Sequence, residues 1–241
     1  MCDVTLILPA YNEAGTIAST IRETGRYFQA RGLRYEIIVA ADGDDGTREL
    51  ALETARNGEP VKVIGNLQRS GKGRGVREAM ALANGEITGY ADADNKVPIQ
   101  EFDKVQPWLS QGYDVVIGSR ALRDSRIERR QPLYRQLGGK GFGLFMRAVV
   151  GLSGIADSQC GFKFFTRAAA HEIFTRQQID GYMFDVEILV LARRLGYRIQ
   201  QVPVRWRDDA DSRLDLISGN LRNVRDIFRI RTSQGRARSN P

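Results

Sequence analysis

Apolar and polar positions along this chain come in blocks whose period switches between that of a strand and that of a helix. Residues 4–8 are a short, almost wholly apolar run that ends at Pro9, as expected of a strand covered on both faces. In residues 13–31 the period changes: Ile17, Ile21 and Phe28 share one helical face, and Gly32 is a natural stop. The pattern then repeats, predicting strands at 37–39, 61–64 and 87–91 and helices at 47–56 and 73–83. Past the apolar run 115–117 it loosens into an arginine-rich segment, an apolar helix at 144–152, a helix at 185–194, a strand at 199–204 and a last helix at 215–230. Alternating strands and helices predict an α/β fold: a mostly parallel central sheet flanked by helices, with ligands at the carboxyl ends of the strands.

Composition narrows this picture. With 241 residues, 42% hydrophobic and 27% charged, the chain suits one globular domain, and no linker divides it. The expected boundaries are a domain over residues 1–230 and a basic, flexible tail over 231–241. Cys2 and Cys160 have neither disulfide density nor zinc spacing, and the first residues lack the pattern of a signal peptide. The expected location is therefore the cytosol. The apolar stretch 142–155 is broken by Arg147 and several glycines and falls short of the ~20 apolar residues that cross a bilayer.

The net charge of +7 attracts nucleic acid, anionic lipid and phosphorylated ligands alike. Nucleic acid is the least favoured of these, because no binding motif or aromatic stacking platform accompanies the arginines. Between Asn220 and Arg238, six arginines and one aspartate interleave with Leu221, Val224, Ile227, Phe228 and Ile230. Such a helix suits peripheral contact with the surface of an anionic membrane, and equally suits packing on the domain with its arginines in water.

The strand ends carry the candidate chemistry. Pro9-Ala10-Tyr11-Asn12-Glu13 offers a rigid turn, an aromatic face on which a planar base can stack, and a carboxylate. The same segment also suits a helix N-terminus, with Asn12 as cap and Glu13 favourable to the dipole. Asp42-Gly43-Asp44-Asp45-Gly46-Thr47 can turn tightly and accept hydrogen bonds from a base or ribose, and it reads equally as a plain turn. Ser70-Gly71-Lys72-Gly73-Arg74-Gly75 lacks Walker spacing, which disfavours a kinase or ATPase, but Lys72 at a helix start can approach a diphosphate. Asp92-Ala93-Asp94 places two carboxylates at i and i+2, hard oxygen ligands suited to a shared Mg or Mn ion.

In this order, PAYNE, DGDDGT, SGKGRG and ADAD resemble the family 2 inverting glycosyltransferases of GT-A fold. Gly118-Ser119-Arg120, the run Asp157-Ser158-Gln159-Cys160-Gly161-Phe162-Lys163, and Phe184-Asp185-Val186-Glu187 are similar to the branch that glycosylates polyprenyl phosphates. Within it the dolichyl-phosphate β-glucosyltransferases, then the dolichyl-phosphate mannose synthases, are nearest in pattern. The resemblance implies that Pro9, Tyr11, Glu13 and Asp42 hold the uridine part of a nucleotide-sugar donor. It implies that Asp92 and Asp94 meet the divalent cation and the diphosphate, that Arg207 reaches the donor phosphates, and that Arg120 and Arg135, with Arg130 as fallback, receive the acceptor phosphate. The reaction implied is inverting transfer of a hexose, glucose first, from a UDP- or other nucleotide-sugar to a polyprenyl phosphate of the dolichyl or undecaprenyl type, on the cytoplasmic face of a membrane.

Three features depart from the family pattern: Ala40-Ala41 before Asp42-Gly43, the absence of a membrane-spanning segment, and Asn95-Lys96 after the second aspartate. Lys96 puts an ammonium where mannose synthases place a metal-binding glutamine, so it can weaken metal affinity or contact phosphate itself. The alternatives are a soluble family 2 transferase with a small phosphorylated or protein-borne acceptor and, further off, a nucleic-acid-binding protein. Sugar identity and oligomeric state are not encoded in any pattern here.

Overall fold

The computed structural model describes residues 2–128, 146, 148–207 and 218–236. The first half alternates as the periodicity predicts: β1 (Cys2–Tyr11), α1 (Ile17–Ala30), β2 (Tyr35–Asp42), α2 (Thr47–Arg56), β3 (Val61–Ile64), α3 (Lys72–Met80) and β4 (Gly85–Ala91). A 3-10 helix (Ile99–Lys104), α4 (Gln106–Ser110), β5 (Val115–Ser119) and the short β6 (Arg126–Ile127) follow. The rest comprises β7 (Phe162–Thr166), α5 (Arg167–Arg176), α6 (Phe184–Arg194), β8 (Ile199–Pro203), β9 (Arg205–Trp206) and α7 (Ser218–Arg236).

The main sheet has seven strands in the order β3-β2-β1-β4-β7-β5-β8, with β7 alone antiparallel to its neighbours. Alternating side chains divide the core into two layers, as a strand's period of two requires. Val4, Leu6 and Leu8 point to the layer holding Phe28, Ala51 and Phe102, under α1, α2 and the 3-10 helix. Ile7, Ile38 and Tyr90 point to the other, which holds Val76, Ile173, Phe184, Leu189 and Ile227, under α3, α5, α6 and α7. This is the expected sheet between helical layers.

Among the differences from the sequence-based expectation, three stand out. Helix α1 begins at Ile17 rather than at residue 13. Asn12 has a left-handed φ of 57°, and the Glu13 N–H donates to Thr47 Oγ1 at 2.9 Å, which holds the segment in a loop. Strand β7 was not anticipated, because Phe162-Lys163-Phe164-Phe165 carries no clean apolar alternation; it is buried on both faces with its lysine included. Helix α7 runs past Ile230 to Arg236, and residues 237–241 lie outside the described residues.

The reversed direction of β7 matters for the site. Phe162 pairs with Ala91 and Lys163 with Tyr90, so the start of β7 lies beside the carboxyl end of β4. Residues 157–163 are thereby carried to the ligand side of the sheet. A second, two-stranded sheet of β6 and β9 is tied to the end of β5 by the Val204 N–H, which donates to the Ser119 carbonyl at 3.3 Å, and the Arg207 N–H donates to the Lys96 carbonyl at 2.9 Å.

Candidate active site

The loops after β1 and β2 are fixed mainly by backbone donors. Asp42, the last residue of β2, accepts the Asn66 N–H at 3.1 Å and the Ser70 N–H and hydroxyl at 2.7 and 2.6 Å. Its carboxylate thus gathers the loop that leads into α3. Asp45 accepts the Ala14 N–H at 3.0 Å and the Thr47 N–H and hydroxyl at 3.2 and 2.6 Å. Partial burial opposes its ionisation, but these bonds outweigh burial and hold the carboxyl below its usual range. The Thr16 hydroxyl donates to Glu13 Oε2 at 3.0 Å. Tyr11 is exposed at the strand end, with the Arg69 guanidinium 4.4 Å above its ring centroid. Arg69 also donates to the Tyr182 hydroxyl at 2.9 Å. Pro9 pairs opposite Ala40, beyond the point at which β1 has stopped pairing with β4, where its missing N–H is tolerated.

The loop after β4 is held by cations. Asp92 Oδ1 accepts the Lys72 ammonium at 2.6 Å, and Asp94 Oδ2 lies 2.9 Å from the Lys96 ammonium. Lys72 opens α3 behind Gly71, whose φ of 112° suits glycine alone. Burial works against the charge on Lys72, but the Asp92 and Asp185 carboxylates overcome it and raise its pKa. Gly161 is needed at its position because a Cβ there would collide with the Asp92 carboxylate, while its carbonyl accepts the Asp92 N–H at 3.0 Å. Asn95, with φ 54°, turns the chain back and donates to Glu23 at 2.7 Å. Asp94, Lys96 and Arg207 line an open cleft of about 280 Å³ with Thr16, Ser19 and Thr20 at the start of α1.

Beyond β5, Arg120 grips Asp157 with Nε and Nη2 at 2.7 and 2.9 Å, and its backbone N–H adds a bond of 3.0 Å. This is a bidentate guanidinium–carboxylate pair. Burial alone would raise the Asp157 pKa, but Arg120 outweighs it and holds the carboxyl below the usual range. The guanidinium carbon of Arg120 lies 5.6 Å from the Trp206 ring centroid. Beneath the site, Lys163 is fully buried; it pairs with Asp185 and donates to the Cys160 carbonyl at 2.7 Å. The Tyr90 hydroxyl donates to the same Asp185 carboxylate, and burial pushes the neighbouring Cys160 thiol up to about 12.

The structure therefore gathers Asp92, Asp94, Lys72 and Arg207 around the end of β4, and puts Arg120 at the end of the nearby β5. Pro9, Tyr11, Glu13 and Asp42 lie together at the ends of β1 and β2. Arg135 and its fallback Arg130 lie outside the described residues. Asp185 and Glu187, from the motif shared with the polyprenyl-phosphate branch, are both engaged internally: Asp185 with Lys163, and Glu187 with the Gln178 and Ile179 N–H groups. His171, the one histidine of the chain, sits exposed on α5.

Sequence reasoning gave no individual role to Asp157 and Gly161 and missed the hydroxyls at the start of α1. For α1 a signal existed: Thr16, Ser19 and Thr20 are spaced to share one face of a helix start. For Asp157 and Gly161 it lay in the motif preceding β7, whose role becomes visible only when that strand is placed.

Comparison with known proteins identifies the family and the fold. The model of the family described as Glycosyl transferase family 2 matches residues 5–174. The chain is 33% identical over 238 residues to a dolichyl-phosphate β-glucosyltransferase of Trichomonas vaginalis, covering 94% of this chain and 70% of that protein. It is 32% identical over 244 residues to the dolichyl-phosphate β-glucosyltransferase of Drosophila melanogaster, covering 95% and 74%. Among solved structures, glucosyl-3-phosphoglycerate synthase of Mycobacterium tuberculosis, in complex with UDP, superposes with a TM-score of 0.71 at 22% identity, covering 96% of this chain and 80% of that one. Mannosyl-3-phosphoglycerate synthase of Rubrobacter xylanophilus gives 0.72 at 20% identity, covering 98% and 75%. The fold is that of the GT-A glycosyltransferases. The chain belongs to glycosyl transferase family 2.

Proposed function

We propose that this glycosyltransferase moves glucose from UDP-glucose to a dolichyl-type polyprenyl phosphate with inversion at the anomeric carbon. The observation that carries the reading is the extent of the match. Similarity to dolichyl-phosphate β-glucosyltransferases spans 94% of the chain, far beyond the family match that ends at residue 174. It therefore includes the segments around α6, β9 and α7 as well as the donor loops.

In this reading the ends of β1 and β2 receive the nucleoside: Tyr11 supplies a stacking face, Pro9 and Glu13 shape the turn, and Asp42 organises the floor through residues 66–70. Asp92 and Asp94 supply hard oxygen ligands of the kind Mg or Mn takes. No third histidine, cysteine or carboxylate joins them among the described residues, so the donor's phosphates and water would complete the coordination. Held there, the cation would stabilise charge on the departing diphosphate. Lys72 on Asp92 adds positive charge, as does Arg207, which lines the cleft with Asp94 and pairs with Glu128 at 3.2 Å.

The acceptor phosphate has a second pKa of about 6 and reaches the site already nucleophilic. No general base is needed, so the reaction depends on alignment and electrostatics. Arg120 would take the acceptor phosphate in the bidentate manner it now uses with Asp157, and Arg135 would be its second contact.

Helix α7 fits a membrane surface. Ile227 and Ile230 anchor it in the core, while Phe228, 51% exposed, projects among the exposed Arg222, Arg225, Arg229 and Arg231. An aromatic among arginines suits peripheral binding to an anionic leaflet, each arginine near the surface contributing roughly 1 kcal/mol. No helix among the described residues is long and apolar enough to cross a membrane.

The test is a donor-by-acceptor screen with Mg and Mn, in which labelled UDP-glucose is offered with dolichyl phosphate or with soluble phosphorylated acceptors. Label should enter the lipid fraction. Transfer confined to water-soluble products would overturn the acceptor assignment and leave the donor assignment standing.

A further inference from the structure

Lys96 is the chemically unusual member of the loop after β4. Its ammonium lies 2.9 Å from Asp94 Oδ2 and its backbone N–H donates to Asp94 Oδ1 at 3.2 Å, so one residue engages both oxygens of a proposed metal ligand. Its backbone is held directly by Arg207 and through the anchored Asn95 before it. The Arg207 N–H donates to its carbonyl at 2.9 Å, the Asn95 N–H donates to the Asp92 carbonyl at 3.1 Å, and the Asn95 side chain is tied to Glu23. The side chain, in contrast, borders the open cleft with Thr16, Ser19 and Arg207. A lysine so placed is a point charge on a flexible tether with a rigid root. A divalent ion bonded to the same carboxylate would repel it at close range and turn it toward the nearest anion in the cleft.

Resting on the donor-site reading above, we propose that Lys96 is a built-in cation of the diphosphate site. It shares Asp94 with the divalent ion and binds the donor diphosphate directly, so nucleotide binding persists without a divalent cation. The same charge lowers the site's affinity for the free metal. Lys72 fills a different place. Its ammonium is held on Asp92, lies 5.9 Å from the Phe184 ring centroid, and also feels the buried Asp185 carboxylate. The two aspartates thus have two unlike lysines: one at a helix start and one bordering the open cleft.

The experiment is calorimetric titration of the full chain with UDP, in excess EDTA and in Mn²⁺, for the unaltered protein and for Lys96→Met and Lys96→Arg. The unaltered protein should still bind UDP in EDTA. Lys96→Met should lose about tenfold or more of that affinity, the scale of a hydrogen bond to a charged group, while keeping binding in Mn²⁺. Titrated with Mn²⁺ alone, Lys96→Met should bind it several-fold more tightly. Lys96→Arg, which keeps the charge, should retain binding in EDTA. Equal UDP affinity of the unaltered protein and Lys96→Met in EDTA would overturn the proposal, as would an equal loss in Lys96→Arg. A protein that binds UDP only with Mn²⁺ overturns the role of Lys96 and spares the donor site. One that binds UDP under neither condition overturns the donor site as well.

Discussion

The loops after β1 and β2 and the loops after β4 and β5 both end in carboxylates at the same edge of the sheet, but they hold them differently. Asp42 and Asp45 are held chiefly by backbone N–H groups and by serine and threonine hydroxyls. Asp92, Asp94, Asp157 and the buried Asp185 are held by Lys72, Lys96, Arg120 and Lys163. A carboxylate fastened to the backbone can shape a loop but cannot let go without unmaking it. One fastened to a side-chain cation can exchange that partner for a metal ion, and can release the cation to a phosphate. The first arrangement suits recognition of a rigid nucleoside, and the second suits a place where charge arrives and departs.

Mutations can break this contrast, beginning with its most buried pair. Lys163→Met should cost about 3–5 kcal/mol in chemical denaturation, because it leaves Asp185 buried without its cation. An unchanged midpoint would show that the Tyr90 hydroxyl alone suffices. Asp94→Ala should lower metal-dependent turnover by about 10²–10³-fold with little change in Tm, since the residue sits in a loop lining an open cleft. Near-normal turnover would remove it from the metal site.

On the backbone-held side, Asp42→Ala should cost about 1–3 kcal/mol and weaken UDP binding with it, because Asn66 and Ser70 lose their shared acceptor. If stability falls while UDP affinity stays, Asp42 shapes the loop without serving the nucleoside.

The smallest expected effect is one of pH. Asp157 titrates below its unfolded value, so its pairing with Arg120 contributes stability above about pH 4 that is lost as pH falls through the lower folded pKa. Thermal melts below about pH 4 should therefore show a steeper acid loss in the unaltered protein than in Asp157→Asn. Parallel acid slopes would mean that the pair adds no pH-dependent stability.

Much of the first half was legible in the sequence. The strands β1 to β4 are apolar runs ended by proline, glycine or aspartate, and each candidate motif sits at such an end, where a parallel sheet collects its ligands. Asp92 and Asp94 could be picked out because two carboxylates at i and i+2 form a local pattern. The pairing of their lysines is not a local pattern. Lys72 precedes Asp92 by 20 residues and reaches it only because α3 starts beside the carboxyl end of β4.

The sequence by itself determined the periods of its elements, hence an α/β sheet with motifs on one edge, because side-chain alternation and turn residues act over a few positions. Tertiary structure alone decided that β7 runs against its neighbours and sets Gly161 beneath Asp92, that Arg120 and Asp157 pair across 37 residues, and that Lys96 shares an open cleft with Arg207. Those facts depend on strand order and on electrostatic pairing between distant segments. A charged side chain takes whichever opposite charge the packed backbone brings within reach, and spacing along the chain does not specify which one that is.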